Sequence, residues 1–178
     1  KENLGKENVD AVKTGVSNLK RHVNNIRKFG IPVIVAINHF VADTKKEMEA
    51  LQNECSKINI EAIPCHHWSK GGEGAIDLAK KVVELTNQES SFKFLYEDKT
   101  SLFNKIKTIA KEIYNADDII VDKKIADQLK QFEKNGYGDF PICIAKTQYS
   151  FSTDPSLKGA PSGFTIPIRE VKLSSGAE

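Results

Sequence analysis

The chain is poor in cysteine and tryptophan, has no long apolar run and carries no excess of one charge. Cysteine occurs three times, at Cys55, Cys65 and Cys143, with no CxxC pair among them. That argues against a disulfide framework and for a reducing compartment, the cytosol by default. The longest apolar run, Ile31 to Ile37, has seven residues against the roughly 20 needed to cross a bilayer, so a membrane-spanning reading fails. Basic and acidic residues number 26 and 24, interspersed, for a net charge of +2, and nucleic-acid binding therefore has no electrostatic footprint. A GxxxxGK[ST] loop is absent, as are GxGxxG after a strand and the nucleophile elbow of a Ser-His-Asp hydrolase. Lys1 is not a methionine, no apolar signal segment follows it, and the last residues stop directly after a strand-like run. The expectation is an excerpt from a longer polypeptide.

What is present fits one globular domain or part of a larger one: 178 residues, 39% hydrophobic and 28% charged. Val16, Leu19, Val23, Ile26 and Phe29 recur at helical spacing, with Thr14-Gly15 read as a break before them and Gly30 and Pro32 as the stop. A buried-type strand over 31–37 follows. Thr44-Lys45-Lys46-Glu47 fits a capping box opening a helix to about Lys57, with Met48, Leu51 and Cys55 inward. A strand over 59–64 and a helix from Ala75 to about Leu85 complete a strand-helix-strand-helix series. Such alternation implies a parallel sheet with right-handed crossovers. The expected fold class is α/β, a Rossmann-like parallel or mixed sheet with flanking helices.

Residues 1–86 form the first expected segment and residues 87–178 a second α/β segment. In the second, the pattern predicts a short strand at 92–96, a helix over about 101–114 and a brief strand at 119–121. A helix follows on Ile125, Leu129 and Phe132, closed by Asn135-Gly136, then a buried strand over 140–145 and a final strand over 164–173. Pro167 marks that last strand as an edge. Between the last two strands, loop 146–163 has no predicted element, a length that in a compact domain signals function or disorder.

The first two strands run into polar loops that each carry an aromatic. One is Asn38-His39-Phe40-Val41-Ala42-Asp43-Thr44; the other is Cys65-His66-His67-Trp68-Ser69-Lys70-Gly71-Gly72-Glu73-Gly74. Parallel sheets bind ligands outside the carboxyl ends of their strands, so both loops should open on one edge, with Phe40 and Trp68 facing across a ligand. Trp68, the single tryptophan, suits stacking on a heteroaromatic ring; it equally suits folding over the domain's rim. The glycines of the second loop allow either an anion at a helix N-terminus or a tight turn. Asp43 and Asn38 offer a carboxylate and an amide to a ring edge, or Asp43 is a second helix cap. Cys65-His66-His67 has zinc-ligand chemistry but the wrong spacing, and no second Cys/His pair stands at a suitable distance; no metal site is expected, and one imidazole is instead expected to hydrogen-bond and orient a loop or a ligand.

The order Gly-Ile-Pro-Val-Ile-Val-Ala-Ile-Asn, Asp, helix, strand and Ser-Lys-Gly-Gly-Glu-Gly resembles the C-terminal half of a P-loop GTPase. His39 stands where that family has Lys, and Asp43 comes two residues late, so guanine specificity is unsupported. The blocks KFGIPVIVAINHFVADT (Lys28 to Thr44), HWSKGGEGAIDLAKKVV (His67 to Val83) and AKTQYSFSTDPSLKGAPSGFTIPIREVKLSSGA (Ala145 to Ala177) resemble formate–tetrahydrofolate ligase, itself a P-loop-type enzyme, over nearly the whole chain. The resemblance implies ATP-dependent ligation of formate to tetrahydrofolate through formyl phosphate, giving 10-formyltetrahydrofolate, with magnesium-bound ATP and a homotetrameric, cytoplasmic parent. It implies that Phe40 and Trp68 stack on the pterin. Asn38, His67 and Lys70 are candidates for polar contacts, and Gln148 and Tyr149 belong to a loop bordering nucleotide or folate. The family's phosphate loop and formyl-phosphate-binding residues lie in the half not present here, so no catalytic residue is assigned and the isolated chain is expected to be inactive. The alternatives are the C-terminal half of another P-loop nucleotide-binding protein, or a non-catalytic binding module of the same fold.

Overall fold

A computed structural model of the chain describes residues 5–174. The chain divides into two compact units, Lys1–Lys93 and Phe94–Glu178, each built of helices around a small parallel sheet, an α/β arrangement in its simplest form. Among the described residues no helix is long and apolar enough to cross a membrane.

The first unit opens with α1, Val9–Lys28, capped by the Asn8 side chain accepting from Ala11 N–H. The break expected at Thr14-Gly15 does not occur. The Thr14 hydroxyl donates to the Asp10 carbonyl one turn back, and Gly15 faces open space. An exposed mid-helix glycine costs only about 1 kcal/mol, which the apolar stripe through Val16, Leu19 and Val23 outweighs. The stop at Gly30 is obligatory for glycine, since its φ is +70° and a Cβ would sit 2.2 Å from the Ser91 carbonyl oxygen.

That close approach also explains a correction. The strand expected at 92–96 is absent. Ser91 and Lys93 instead donate their amides to Gly30 and Phe29 carbonyls, and Phe92 stacks on Phe29 at 6.4 Å, so residues 91–93 are held by the end of α1 and not by a sheet.

Strands β1 (Val35–Asn38) and β2 (Ala62–Cys65) pair in parallel, Val35 with Ala62 through Asn38 with Cys65. Both begin later than the expected 31–37 and 59–64. Pro32 has no amide to offer a ladder, and Asn59 adopts a left-handed φ of 54°, which no strand accommodates. Helix α2, Lys45–Ser56, carries the expected capping box in full: Glu47 N–H donates to the Thr44 hydroxyl and Thr44 N–H to the Glu47 carboxylate. Val23, Val35, Ile37, Cys55, Ile60 and Ala62 form the core. After β2 come a single helical turn, α3 (His67–Lys70), a 3-10 stretch (Gly71–Ala75) and α4 (Ile76–Thr86).

In the second unit, α5 (Leu102–Glu112) is capped by Ser101 and α6 (Lys123–Phe132) by Asp122. Strands β3 (Asp118–Val121) and β4 (Thr165–Ile168) pair in parallel over a core of Leu102, Ile106, Ala110, Ala116, Ile119, Ile125, Leu129 and Ile166. A π turn, Glu133–Tyr137, follows α6, with Gly136 at φ 91°. The final strand is four residues, not the expected 164–173. Residues 140–145 are not a strand either. Ile142 and Ile144 pack on the core, but the segment is tied by side chains: Ile142 N–H donates to the Tyr96 hydroxyl, and the fully buried Lys105 ammonium donates to the Gly138 and Phe140 carbonyls at 2.9 and 3.1 Å.

Candidate functional site

Because Asn38 lies opposite Cys65 in a parallel pair, the connections that follow β1 and β2 leave the same sheet edge. His39 N–H donates to the Cys65 carbonyl at 3.2 Å, carrying the ladder one residue beyond the strands. The first loop then turns sharply. Asp43 closes the turn twice, its carboxylate accepting from Phe40 N–H at 2.8 Å and its amide donating to the Phe40 carbonyl at 3.0 Å. Asp43 is therefore not the helix cap, which is Thr44, and one of its carboxylate oxygens is taken by the turn. Phe40 projects from this turn, 47% exposed.

The second loop folds over its own start. His66 N–H donates to the Gly74 carbonyl at 2.9 Å, while Ser69 and Lys70 amides return to the His66 carbonyl. A Cβ on residue 74 would stand 2.4 Å from the His66 carbonyl carbon and oxygen. Gly71 holds a φ of +56°. These glycines serve the turn. Trp68 stands out from it, 72% exposed, which rules against an indole folded into the rim.

The run Cys65-His66-His67 separates by function of place. Cys65, 6% exposed, brings its Sγ to 3.1 Å from His67 Nδ1. The His66 ring instead meets His39 edge-on, centroids 4.7 Å apart, which ties one loop to the other. Among the described residues no group of three or more His, Cys, Asp or Glu side chains is placed to hold a metal ion.

Asn38, Phe40, His67, Trp68 and Lys70 are thus all exposed residues of one edge. Gln148 and Tyr149 belong to the second unit, where both are exposed. Their loop, 146–163, contains no helix or strand yet is internally organised. Ser150, Phe151 and Ser152 are buried. The Ser150 hydroxyl bonds Ser152 Oγ and the Leu157 carbonyl, and the Lys146 ammonium donates to the Thr147 and Ser150 carbonyls and lies 5.1 Å from the Tyr114 ring centroid. Burial pulls the Lys146 ammonium below the usual lysine range. At the exit of the first loop, Asn8 and Thr44 amides hold the Glu47 carboxyl below the usual carboxylate range.

Sequence reasoning expected one imidazole of this run to hydrogen-bond but missed its Cys65 partner, the contact between His39 and His66, and the buried serines. Spacing hinted at the first, since residues two apart near a strand end return to one side; the other two depend on long-range packing that no local pattern reports.

The family model for formate–tetrahydrofolate ligase matches residues 1–178. The chain belongs to that family. Curated relatives carrying the name formate–tetrahydrofolate ligase include those of Pelagibacter ubique, 64% identical over 100% of this chain, and Roseobacter denitrificans, 56% identical over 99% of it. That of Sinorhizobium fredii is 54% identical over 99% of the chain. In each case the match covers 32% of the relative, so the chain spans about a third of the family's polypeptide.

Proposed function

We propose that this chain supplies the pterin-stacking edge of an ATP-dependent ligase that joins formate to tetrahydrofolate through formyl phosphate, yielding 10-formyltetrahydrofolate. The observation that supports this reading best is the β1–β2 register, which sends two aromatic-bearing loops off one edge with Phe40 and Trp68 both exposed. Flat, exposed aromatics gain most by covering an equally flat ring. Asn38, His67 and Lys70 surround them with one amide, one imidazole and one ammonium, groups suited to the acceptors and acidic tail of a folate. Gln148 and Tyr149, both exposed, belong to a loop that would border nucleotide or folate in the full enzyme.

ATP would enter as a magnesium complex, a co-substrate whose phosphates are held by the remainder of a larger P-loop-type polypeptide to which this Rossmann-like part belongs. The parent enzyme would be a cytoplasmic homotetramer. Phosphoryl transfer gains most from charges fixed around the transferring group, and those belong to the remainder. The 178-residue chain alone is therefore expected to make no formyl-folate from ATP and formate; turnover by the isolated chain would overturn that.

Trp68, the single tryptophan, allows a direct test. Tetrahydrofolate should quench its fluorescence saturably, and Phe40→Ala should weaken the titration. Full-length Phe40→Ala and Trp68→Ala variants that bind tetrahydrofolate as tightly as the unsubstituted protein would refute the stacking assignment.

A further inference from the structure

The thiol of Cys65 sits at the last position of β2, buried, while the imidazole it meets is exposed on the first turn of α3. A thiol is a weak donor and its sulfur a weak acceptor. At 3.1 Å the two groups are within hydrogen-bond distance, and an S–H that donates here needs an unprotonated Nδ1 to accept. An imidazole that accepts at one nitrogen carries its proton on the other. Among the described residues Nε2 of His67 has no hydrogen-bond partner.

His67 and Trp68 are consecutive, and their turn is fixed by the Ser69 and Lys70 amides on the His66 carbonyl and by the His66 amide on Gly74. We infer that Cys65 is a positioning residue: it holds His67 as the Nε2–H tautomer, so that the second loop offers a fixed hydrogen-bond donor beside Trp68 to an acceptor atom on the edge of the stacked ring. The identity of that ring rests on the pterin reading above, whereas the tautomer does not. Folding energy is invested in orientation. A donor already turned outward loses less rotational freedom when the ligand arrives.

Selective 15N labelling of histidine tests the tautomer. The chain has four histidines, and the signal lost in His67→Gln is assigned to His67. At neutral pH the expected spectrum shows Nε2 protonated and Nδ1 bare. Cys65→Ala should return His67 to a mixture of tautomers, and Cys65→Ser, which keeps a donor, should preserve the Nε2–H form. A bare Nε2 with protonated Nδ1 in the unsubstituted protein would overturn the inference.

Tetrahydrofolate titration of the full-length polypeptide supplies the second reading. Loss of one positioned hydrogen bond should weaken binding about threefold to tenfold in Cys65→Ala, with Cys65→Ser recovering most of it. A thiol that served packing alone would show no difference between alanine and serine in the tautomer. Binding that is tight and indifferent to Cys65→Ala would refute the positioning role, while failure of the unsubstituted protein to bind at all would refute the pterin reading instead.

Discussion

Both units contain a parallel strand pair with helices, yet they use the carboxyl ends of their strands differently. In the first, β1 is followed by residues 39–44 before α2, and β2 by a helical turn and a 3-10 stretch before α4. In the second, β3 passes into α6 through Asp122 alone, whose carboxylate accepts from Ile125 N–H at 2.8 Å. A one-residue connection leaves room for a cap and nothing else. The longer connections carry turns of their own, and those turns hold aromatics out in solvent. Length after the strand, not the strand pair itself, separates the β1 and β2 connections from that of β3.

The largest expected effect comes from collapsing the second connection. Gly74→Ala forces a Cβ against the His66 backbone, and should cost about 2–3 kcal/mol together with most tetrahydrofolate binding. Urea unfolding and Trp68 fluorescence measure the two losses, and hydrogen exchange should show α5 and α6 unaffected. An unchanged titration would mean that the turn geometry is irrelevant to the edge.

Removing an aromatic sharpens the contrast without touching the fold. Phe40→Ala and Trp68→Ala each remove an exposed ring and should weaken ligand binding by about 1–3 kcal/mol, the range of base–aromatic stacking, with the unfolding midpoint unchanged. Calorimetric titration reads the tryptophan variant, which has lost its own reporter. Conversely, Asp122→Ala should destabilise the second unit by about 1 kcal/mol through loss of an N-cap and leave ligand affinity alone.

The smallest effect is a slope. Lys20, with Lys57, holds the Glu54 carboxyl down to about 2 from its ordinary 4.5. A carboxyl depressed in the folded state adds stability above its unfolded value and loses it as pH falls through the folded one. Stability of the first unit should therefore decline between pH 4.5 and about 2, and Lys20→Met should flatten that decline in acid unfolding curves. An identical slope in the variant would remove Lys20 as the cause.

The order of elements and the edge they share were legible in the sequence because they rest on local signals. The capping box at Thr44 and Glu47, the apolar stripe of α5 and the parallel implication of strand-helix-strand all depend on neighbours within a few residues. The failures have the opposite character. Residues 92–96 and 140–145 read as strands because they are apolar and short, but an apolar run says nothing of its partner. Phe92 and Lys93 meet the end of α1; residues 140–145 are held by Tyr96 and Lys105. At Thr14-Gly15, a local breaker was overruled by the helix on either side. Within the site, the two aromatics were visible as misplaced residues in polar loops, whereas Asp43's turn and Cys65's imidazole partner became visible only with distances.

The hydroxyl and ammonium groups packed inside loop 146–163 bear on when that segment becomes ordered. Fixing one residue's backbone costs roughly 1–2 kcal/mol of conformational entropy, so a floppy tip of this length would resist being pinned by anything that met it. Ser150, Ser152 and Lys146 already pin it from within, and Tyr149, 68% exposed, stands on a base whose disorder has been surrendered during folding. Whatever reaches that ring meets a surface, not a search.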